Sequence, residues 1–259
     1  MPKVSTMEKH IKDQWDANAI AFAILIGGQG TPHHRMILNP CIDSLMGNVE
    51  GKRLLDAGCG EGYLSRYYAE KGADVVGVDI SSQLIEICKE KARNNQEFHV
   101  GDICDLKLFR DTSFDLILCN LVLLNVPCLF KALEEFQRVL RNTGHLVFSI
   151  VHPAFDFYGP GTWEMGEKDS ETNRRIGLFF KIDNYFDERP YERYWRSRDG
   201  RKFPRAISFF HRTISTYINA ILNAGFQIQD FREPTPITDD AFFERERRIP
   251  FFAVFKVGK

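Results

Sequence analysis

The residues best equipped for chemistry stand where short apolar runs end. Leu54-Leu55-Asp56-Ala57 leads into Gly58, Gly60 and Gly62 at alternate positions. Asp74-Val75-Val76-Gly77-Val78-Asp79 ends in a second acid, Glu97 to Ile103 carries Asp102, and Phe114 to Cys119 leads to Asn120. Glycine has no Cβ and tolerates positive φ, so a ligand can lie against bare backbone. A helix opening behind such a turn adds N–H groups that lack partners. The spacing G-x-G-x-G is neither the dinucleotide fingerprint G-x-G-x-x-G nor a phosphate loop ending in G-K-[ST]. No cluster of lysine or arginine accompanies these strand ends, so a pyrophosphate is poorly served. Asp79, ending the second strand, is placed to accept hydrogen bonds from ribose hydroxyls. Three acids beside glycine-rich backbone suit a ligand with a ribose, an adenine amine and a positive charge.

In this combination the chain resembles the class I S-adenosylmethionine-dependent methyltransferases of small-molecule type. Leu55-Asp56-Ala57-Gly58-Cys59-Gly60-Glu61-Gly62 resembles the family's first motif and Val76-Gly77-Val78-Asp79-Ile80-Ser81 the second. Gly101-Asp102-Ile103 resembles the third, and Phe114-Asp115-Leu116-Ile117-Leu118-Cys119-Asn120 the fourth. The resemblance implies S-adenosyl-L-methionine as cofactor, S-adenosyl-L-homocysteine as product, and in-line transfer of a methyl group to O or N of a small-molecule acceptor. In such a displacement, alignment of the reactants supplies much of the acceleration. It implies Gly58 and Gly60 against the cofactor's amino-acid portion, with Asp56 holding that loop or reaching the ammonium through water. Asp79 would take the ribose hydroxyls, Ile80 and Ile103 would flank the adenine, and Asp102 would accept from its amino group. Asn120 would lie near the methionine portion and the transferred methyl. Asn120-Leu121-Val122-Leu123 lacks the N-P-P-Y pattern of enzymes that methylate nucleic-acid bases. An RNA methyltransferase and a cofactor-binding protein without transferase activity are the alternative readings.

Some acceptors need a general base. His152, in Ser149-Ile150-Val151-His152-Pro153, is the foremost candidate, because histidine titrates near neutral pH. Its structural alternative is a histidine that bonds backbone and fixes the turn before Pro153. His211, expected to open a helix, is the second candidate. Relatives in biosynthesis often carry a histidine just beyond the fourth strand; here that neighbourhood holds Asn125, which suits orientation rather than proton abstraction. His33 and His34 are adjacent and without evident partners, a poor metal site. No metal is expected.

The elements that must position these residues alternate between strand and helix from about residue 49, which implies right-handed crossovers and a doubly wound sheet. Together with the resemblance this implies an α/β fold class, a doubly wound Rossmann-like methyltransferase sheet, mostly parallel with a C-terminal antiparallel hairpin, plus a lid insertion. Residues 1–48 read as an N-terminal helical cap, with helices over Ser5–Ile26 and about His34–Met46, the second open to division at Pro40. Residues 49–151 read as the S-adenosylmethionine-binding core, with Asn142-Thr143-Gly144 turning into a strand from His145. Residues 152–210 lose periodicity but stay rich in aromatics and arginines, and read as a substrate-binding insertion. Tyr185, Phe186 and Trp195 are its expected pocket wall. Arg189, Arg193, Arg196, Arg198, Arg201 and Arg205 read mostly as a solvated lid surface. Residues 211–259 complete the core, with a helix from His211 to Ala224 turning Ile214, Ile218, Ile221 and Leu222 inward.

With 259 residues, 44% of them hydrophobic, the chain can bury a full core. A net charge of −1 offers no global attraction for nucleic acid or an anionic membrane. The apolar run Ala19–Ile26 is too short to span a bilayer, and no cationic leader with a cleavage site precedes it, so the cytoplasm is the expected location. Six cysteines form no C-x-x-C pair and are expected as buried, reduced thiols. Oligomeric state is left open.

Overall fold

A computed structural model describes residues 6–156, 159–168, 170, 175–197 and 199–259; Ser5 and Arg198 lie outside this set. The chain opens with α1 (Thr6–Ile26), a π-helical turn (His34–Leu38) and α2 (Asn39–Met46). Then follow β1 (Arg53–Ala57), α3 (Tyr63–Glu70), β2 (Asp74–Asp79), α4 (Ser82–Glu90), β3 (Gln96–Val100), β4 (Phe114–Asn120), α5 (Leu129–Val139) and β5 (Leu140–Val151). The insertion carries β6 (Gly161–Lys168), β7 (Arg175–Ile182), β8 (Pro190–Arg193) and β9 (Ile207–Phe210). The chain closes with α6 (Ile214–Asn223), β10 (Gln227–Arg232) and β11 (Phe252–Gly258).

Seven strands form one sheet in the order β10-β11-β5-β4-β1-β2-β3. β1 to β5 pair in parallel, while β11 runs antiparallel to both β5 and β10. This is the doubly wound sheet with its terminal antiparallel pair. Strand order reverses between β1 and β4, which opens the crevice where ligands of such sheets bind. Central strands are apolar on both sides because both faces are covered: Leu55, Val76, Ile117 and Phe148 pack on one face, Leu54, Val75, Leu116 and Val147 on the other.

Several local expectations are corrected. β5 does not begin at His145: it starts at Leu140, because a bulge opposite Phe114/Leu116 absorbs the Asn142-Thr143-Gly144 segment. Gly144 is required there, since a Cβ would lie 2.6 Å from the Asp115 carbonyl oxygen. Pro40 falls in the first turn of α2, where its missing N–H costs nothing, and the preceding turn is wound as a π-helix. α6 starts at Ile214 rather than His211, because the Thr213 hydroxyl caps it by accepting from the Thr216 N–H. Tyr217, Ala220 and Ile221 fill its inner face, and Leu222 is half exposed. The expectation of six reduced thiols fails at one pair: Cys104 and Cys128, 24 residues apart, form a disulfide, whereas Cys41, Cys59, Cys88 and Cys119 are free and buried.

The insertion is ordered into two antiparallel pairs, β6 with β7 and β8 with β9. The second pair is tied to α1. Asn18 donates to the Arg205 carbonyl and accepts from the Arg205 N–H, both at 3.0 Å. Gln14 Oε1 accepts from the Ser208 N–H and hydroxyl, and Gln14 Nε2 donates to Glu192. On its other side α1 holds the core, where Asp16 accepts from the Ser81 hydroxyl and the Gln83 N–H at the start of α4.

Candidate functional site

The carboxyl ends of the parallel strands open into a cavity of about 600 Å³. Asp79 of β2, the β1 turn at Gly58, Asn120 of β4, and Val151 beside Phe252 mark its course across the sheet. α1 supplies Ile11, Trp15, Phe22 and Leu25 as one wall. The rings of Trp15 and Phe22 meet edge-on, and Trp195 of the insertion packs against both.

Asp79 is buried yet faces this cavity. The Gly60 N–H donates to Oδ2 and the Ser81 N–H to Oδ1, each at 2.9 Å. Each oxygen keeps a lone pair for a further donor. Burial pushes its pKa up to about 6, in spite of the two N–H groups. Asp56 also lines the cavity; its Oδ2 accepts from the Ser65 hydroxyl at 2.5 Å, which ties the end of β1 to α3. Burial raises its pKa to about 6 as well. Asp102 is partly buried, accepts from the Cys104 N–H at 2.8 Å, and is raised chiefly by burial. Ile80 and Ile103 line the same end. With Cys104 and Cys128 joined, the sulfurs beside Asp102 offer no thiolate to a metal.

The turn uses its glycines for two reasons. Gly58 has φ +79°, and a Cβ there would meet Val122 Cγ2 at 2.4 Å. Its bareness is thus demanded by a protein side chain from beyond β4 as much as by any ligand. Gly60 has φ +57°, and a Cβ would come within 3.0 Å of the Phe22 ring in the cavity wall. The Gly58 and Cys59 N–H groups both donate to the Val78 carbonyl, locking the turn to β2.

Asn120 is fixed from two sides: its Oδ1 accepts from the Ser149 hydroxyl at 2.6 Å and its Nδ2 donates to the Tyr63 oxygen at 3.4 Å. Tyr63 in turn donates to Asn39 Oδ1 at 3.2 Å. The next residue, Leu121, has φ +57°, a left-handed conformation that costs a branched residue about 1–2 kcal/mol. Its N–H donates to Ser149, whose hydroxyl also holds Asn120. The backbone is bent here so that the end of β4 faces the cavity.

The structure therefore brings Asp56, Gly58, Gly60, Asp79, Ile80, Asp102, Ile103 and Asn120 around one cavity. It does not bring the two proposed bases there. His152 is buried outside the cavity wall, with Nε2 on Glu233 at 2.9 Å and Nδ1 accepting the Ala154 N–H at 3.2 Å. Burial lowers its pKa against the pull of Glu233. This is the histidine that fixes the turn around Pro153. His211 Nε2 meets the Tyr185 carbonyl at 2.8 Å, and the ring borders a separate polar depression with Asp187 and Arg189. Of the expected insertion wall, Trp195 lines the cavity, Tyr185 instead receives the Ile214 N–H, and Phe186 is 86% exposed. Asn125 lines the cavity while its Nδ2 donates to the Ser208 carbonyl.

Sequence reasoning missed His33, His34, Tyr63 and Phe22 in the wall. His33 finds its partner far along the chain, whereas that of His34 lies three residues before it. His34 Nδ1 lies 2.6 Å from the Thr31 hydroxyl, and burial lowers its pKa to about 4, so it is neutral at physiological pH. His33 Nε2 lies 3.0 Å from Oε1 of Glu246, 213 residues away in sequence. Their one sequence signal was position, at the helix opening after the Gly27–Pro32 break.

A family profile described as a methyltransferase domain matches residues 55–148. A solved structure of an S-adenosylmethionine-dependent methyltransferase from Mesorhizobium loti superposes with a TM-score of 0.70 at 25% identity, covering 90% of this chain and 100% of that one. A Listeria monocytogenes protein assigned to the same class gives a TM-score of 0.72 at 26% identity, covering 85% and 95%. Among curated proteins, magnesium-protoporphyrin O-methyltransferase of Rhodobacter capsulatus is 34% identical over 139 residues. That match takes in 51% of this chain and 59% of the relative's length, so the two are alike over little more than half of either.

Proposed function

Because the chain belongs to the class I S-adenosylmethionine-dependent methyltransferases, we propose that it transfers the methyl group to O or N of a small, largely apolar acceptor. The observation that carries this reading is the cavity's extent. The residues assigned to the cofactor occupy the half over β1 to β3 and reach Asn120. Beyond them the lining continues with Leu25, Thr31, His33, Val151 and Phe251. α1 and Trp195 of the insertion pack together over one side of the cavity, which suits a small molecule. The Rhodobacter relative is named for methylation of oxygen on a small molecule, which supports the same class of acceptor.

The residues present suit the cofactor. Two cavity-facing oxygens of Asp79 can accept from a ribose diol and Asp102 from an exocyclic amine, while Asp56 at the end of β1 also faces the cavity. Bound S-adenosylmethionine supplies an activated methyl group on a sulfonium. The chain's own work is then to bind, orient and exclude water: acids hold one end, Asn120 is fixed near the other, and Trp15, Phe22 and Trp195 close the roof. We read residues 49–151 as the cofactor-binding core, 1–48 and 152–210 as the parts over the acceptor, and 211–259 as completing the sheet.

Calorimetric titration with S-adenosylhomocysteine tests the pocket. Native protein should bind saturably, and Asp79→Ala should bind roughly 10²-fold more weakly, the scale of losing hydrogen bonds to a charged acceptor. A screen of small phenols, alcohols and amines for methylated product then tests the acceptor class; methylation of RNA in preference to all of them would refute it.

A further inference from the structure

Resting on the reading of this cavity as a methyltransferase site, we propose that His33 is the general base, positioned by Glu246, and that the acceptor is therefore a neutral hydroxyl compound. His33 lies in the acceptor half of the cavity, where the π-helical turn meets Phe251 at the start of β11. Its ring is wedged among Phe242, Phe243 and Phe251, with centroids 5.5, 5.5 and 5.3 Å away, so its orientation is fixed by packing. Nε2 lies 3.0 Å from Glu246 Oε1. A carboxylate only accepts, so Nε2 carries the proton and Nδ1 holds the lone pair. Nδ1 makes no hydrogen bond among the described residues, and the side chain keeps a quarter of its surface accessible.

Glu246 is built for this task rather than for solvent. Its side chain is 9% exposed, and its second oxygen, Oε2, is buried with no hydrogen-bond partner among the described residues. Burial works to raise its pKa, yet the hydrogen bond from His33, its own backbone N–H, and the charges of Arg245 and of His33 once protonated hold it below the usual carboxylate range. A buried carboxylate answered chiefly by an imidazole stabilises that imidazole when it gains a proton. The other cavity histidine cannot take this part. The Thr31 N–H and hydroxyl both approach His34 Nδ1, which leaves its proton on Nε2 and makes it a hydrogen-bond donor.

In the step, the acceptor oxygen forms its bond to the methyl carbon as the carbon–sulfur bond breaks and the electron pair leaves on sulfur. The hydroxyl proton passes to Nδ1 of His33. The single positive charge thus moves from sulfonium to imidazolium, where Glu246 compensates it. Leu25, Thr31, Val151, Phe251 and Phe252 offer no anion to an ammonium acceptor, and the nearby Glu246 carboxylate is engaged by His33 and does not line the cavity.

The test uses the full chain loaded with S-adenosylhomocysteine and 4-nitrophenol as probe. Calorimetry should show equal S-adenosylhomocysteine binding by native protein, His33→Gln and Glu246→Gln. Below the phenol's own pKa, native protein should bind the probe as phenolate, seen by its visible absorption band, and His33→Gln should lose that band. Nitrogen-15 spectra of the imidazole should place the proton on Nε2 in native protein. In Glu246→Gln the amide can accept or donate, so the constraint is lifted and the fraction of imidazole protonated on Nδ1 should rise. With the probe as acceptor, His33→Gln should lower kcat by roughly 10²-fold or more. A native tautomer protonated on Nδ1, a phenolate band indifferent to His33→Gln, or binding of benzylamine in preference to the phenol overturns the inference while leaving the cofactor site intact. Failure of native protein to bind S-adenosylhomocysteine removes the underlying reading, and the inference with it.

Discussion

Asp79 shows how one buried side chain can couple ligand binding to pH. Its carboxyl is raised by burial to about 6 in the folded chain, against about 3.9 for an exposed aspartate. The folded state therefore holds the proton more tightly than the unfolded state does. The resulting stabilisation is complete below about pH 4 and is lost as pH rises through about 6. Ribose hydroxyls bond the ionised carboxylate more strongly than the protonated acid, so binding works in the opposite direction. Affinity for S-adenosylhomocysteine should fall as pH drops below about 6, by up to about tenfold per unit. Calorimetry at pH 5 in two buffers of different ionisation enthalpy should register proton release on binding, and Asp79→Ala should reduce it, the remainder coming from Asp56. Gly58 offers a second prediction. Gly58→Ala combines a left-handed backbone with a collision at Val122, and should cost roughly 3 kcal/mol in denaturant unfolding. Adding Val122→Ala should recover the steric part only.

At the scale of elements, α1 was legible as a helix because apolar residues recur along it, and Ile11 and Trp15 do face inward to the cavity wall. Its attachment was not legible. Asn18 finds Arg205 across 187 residues, and no local pattern announces that pairing. The same holds for the insertion: its strands are short, β6 is mostly half-buried and β7 largely exposed, and neither alternates cleanly enough to betray a hairpin. The parallel core was readable because each of its turns is local, with glycine, acid and cap within a few residues. His152 and His211 misled for the converse reason, since Glu233 and the Tyr185 carbonyl that hold them lie elsewhere in the chain. Asn18→Ala should strand both backbone groups of Arg205 and loosen the seam between α1 and β9 by about 2–4 kcal/mol. Limited proteolysis should then cut within 183–206 faster, with the sheet still protected.

At the scale of the molecule, the Cys104–Cys128 disulfide ties the segment after β3 to the start of α5, and Cys128 borders the cavity beside Asp102. Closing a loop of this length restricts the unfolded chain by about 3 kcal/mol. Reduction by a phosphine should lower the unfolding midpoint accordingly, and Cys104→Ser should do the same without reductant. α1 carries a different consequence. It is pinned to the start of α4 at one side through Asp16 and to the insertion at the other through Gln14 and Asn18, and it spans the roof between them. The expected consequence is that a spent nucleoside beneath that roof leaves when this one helix undocks. Steady-state turnover with saturating acceptor and hydrogen–deuterium exchange of the α1 amides should then share a rate constant, and variants at Asn18 should quicken both together.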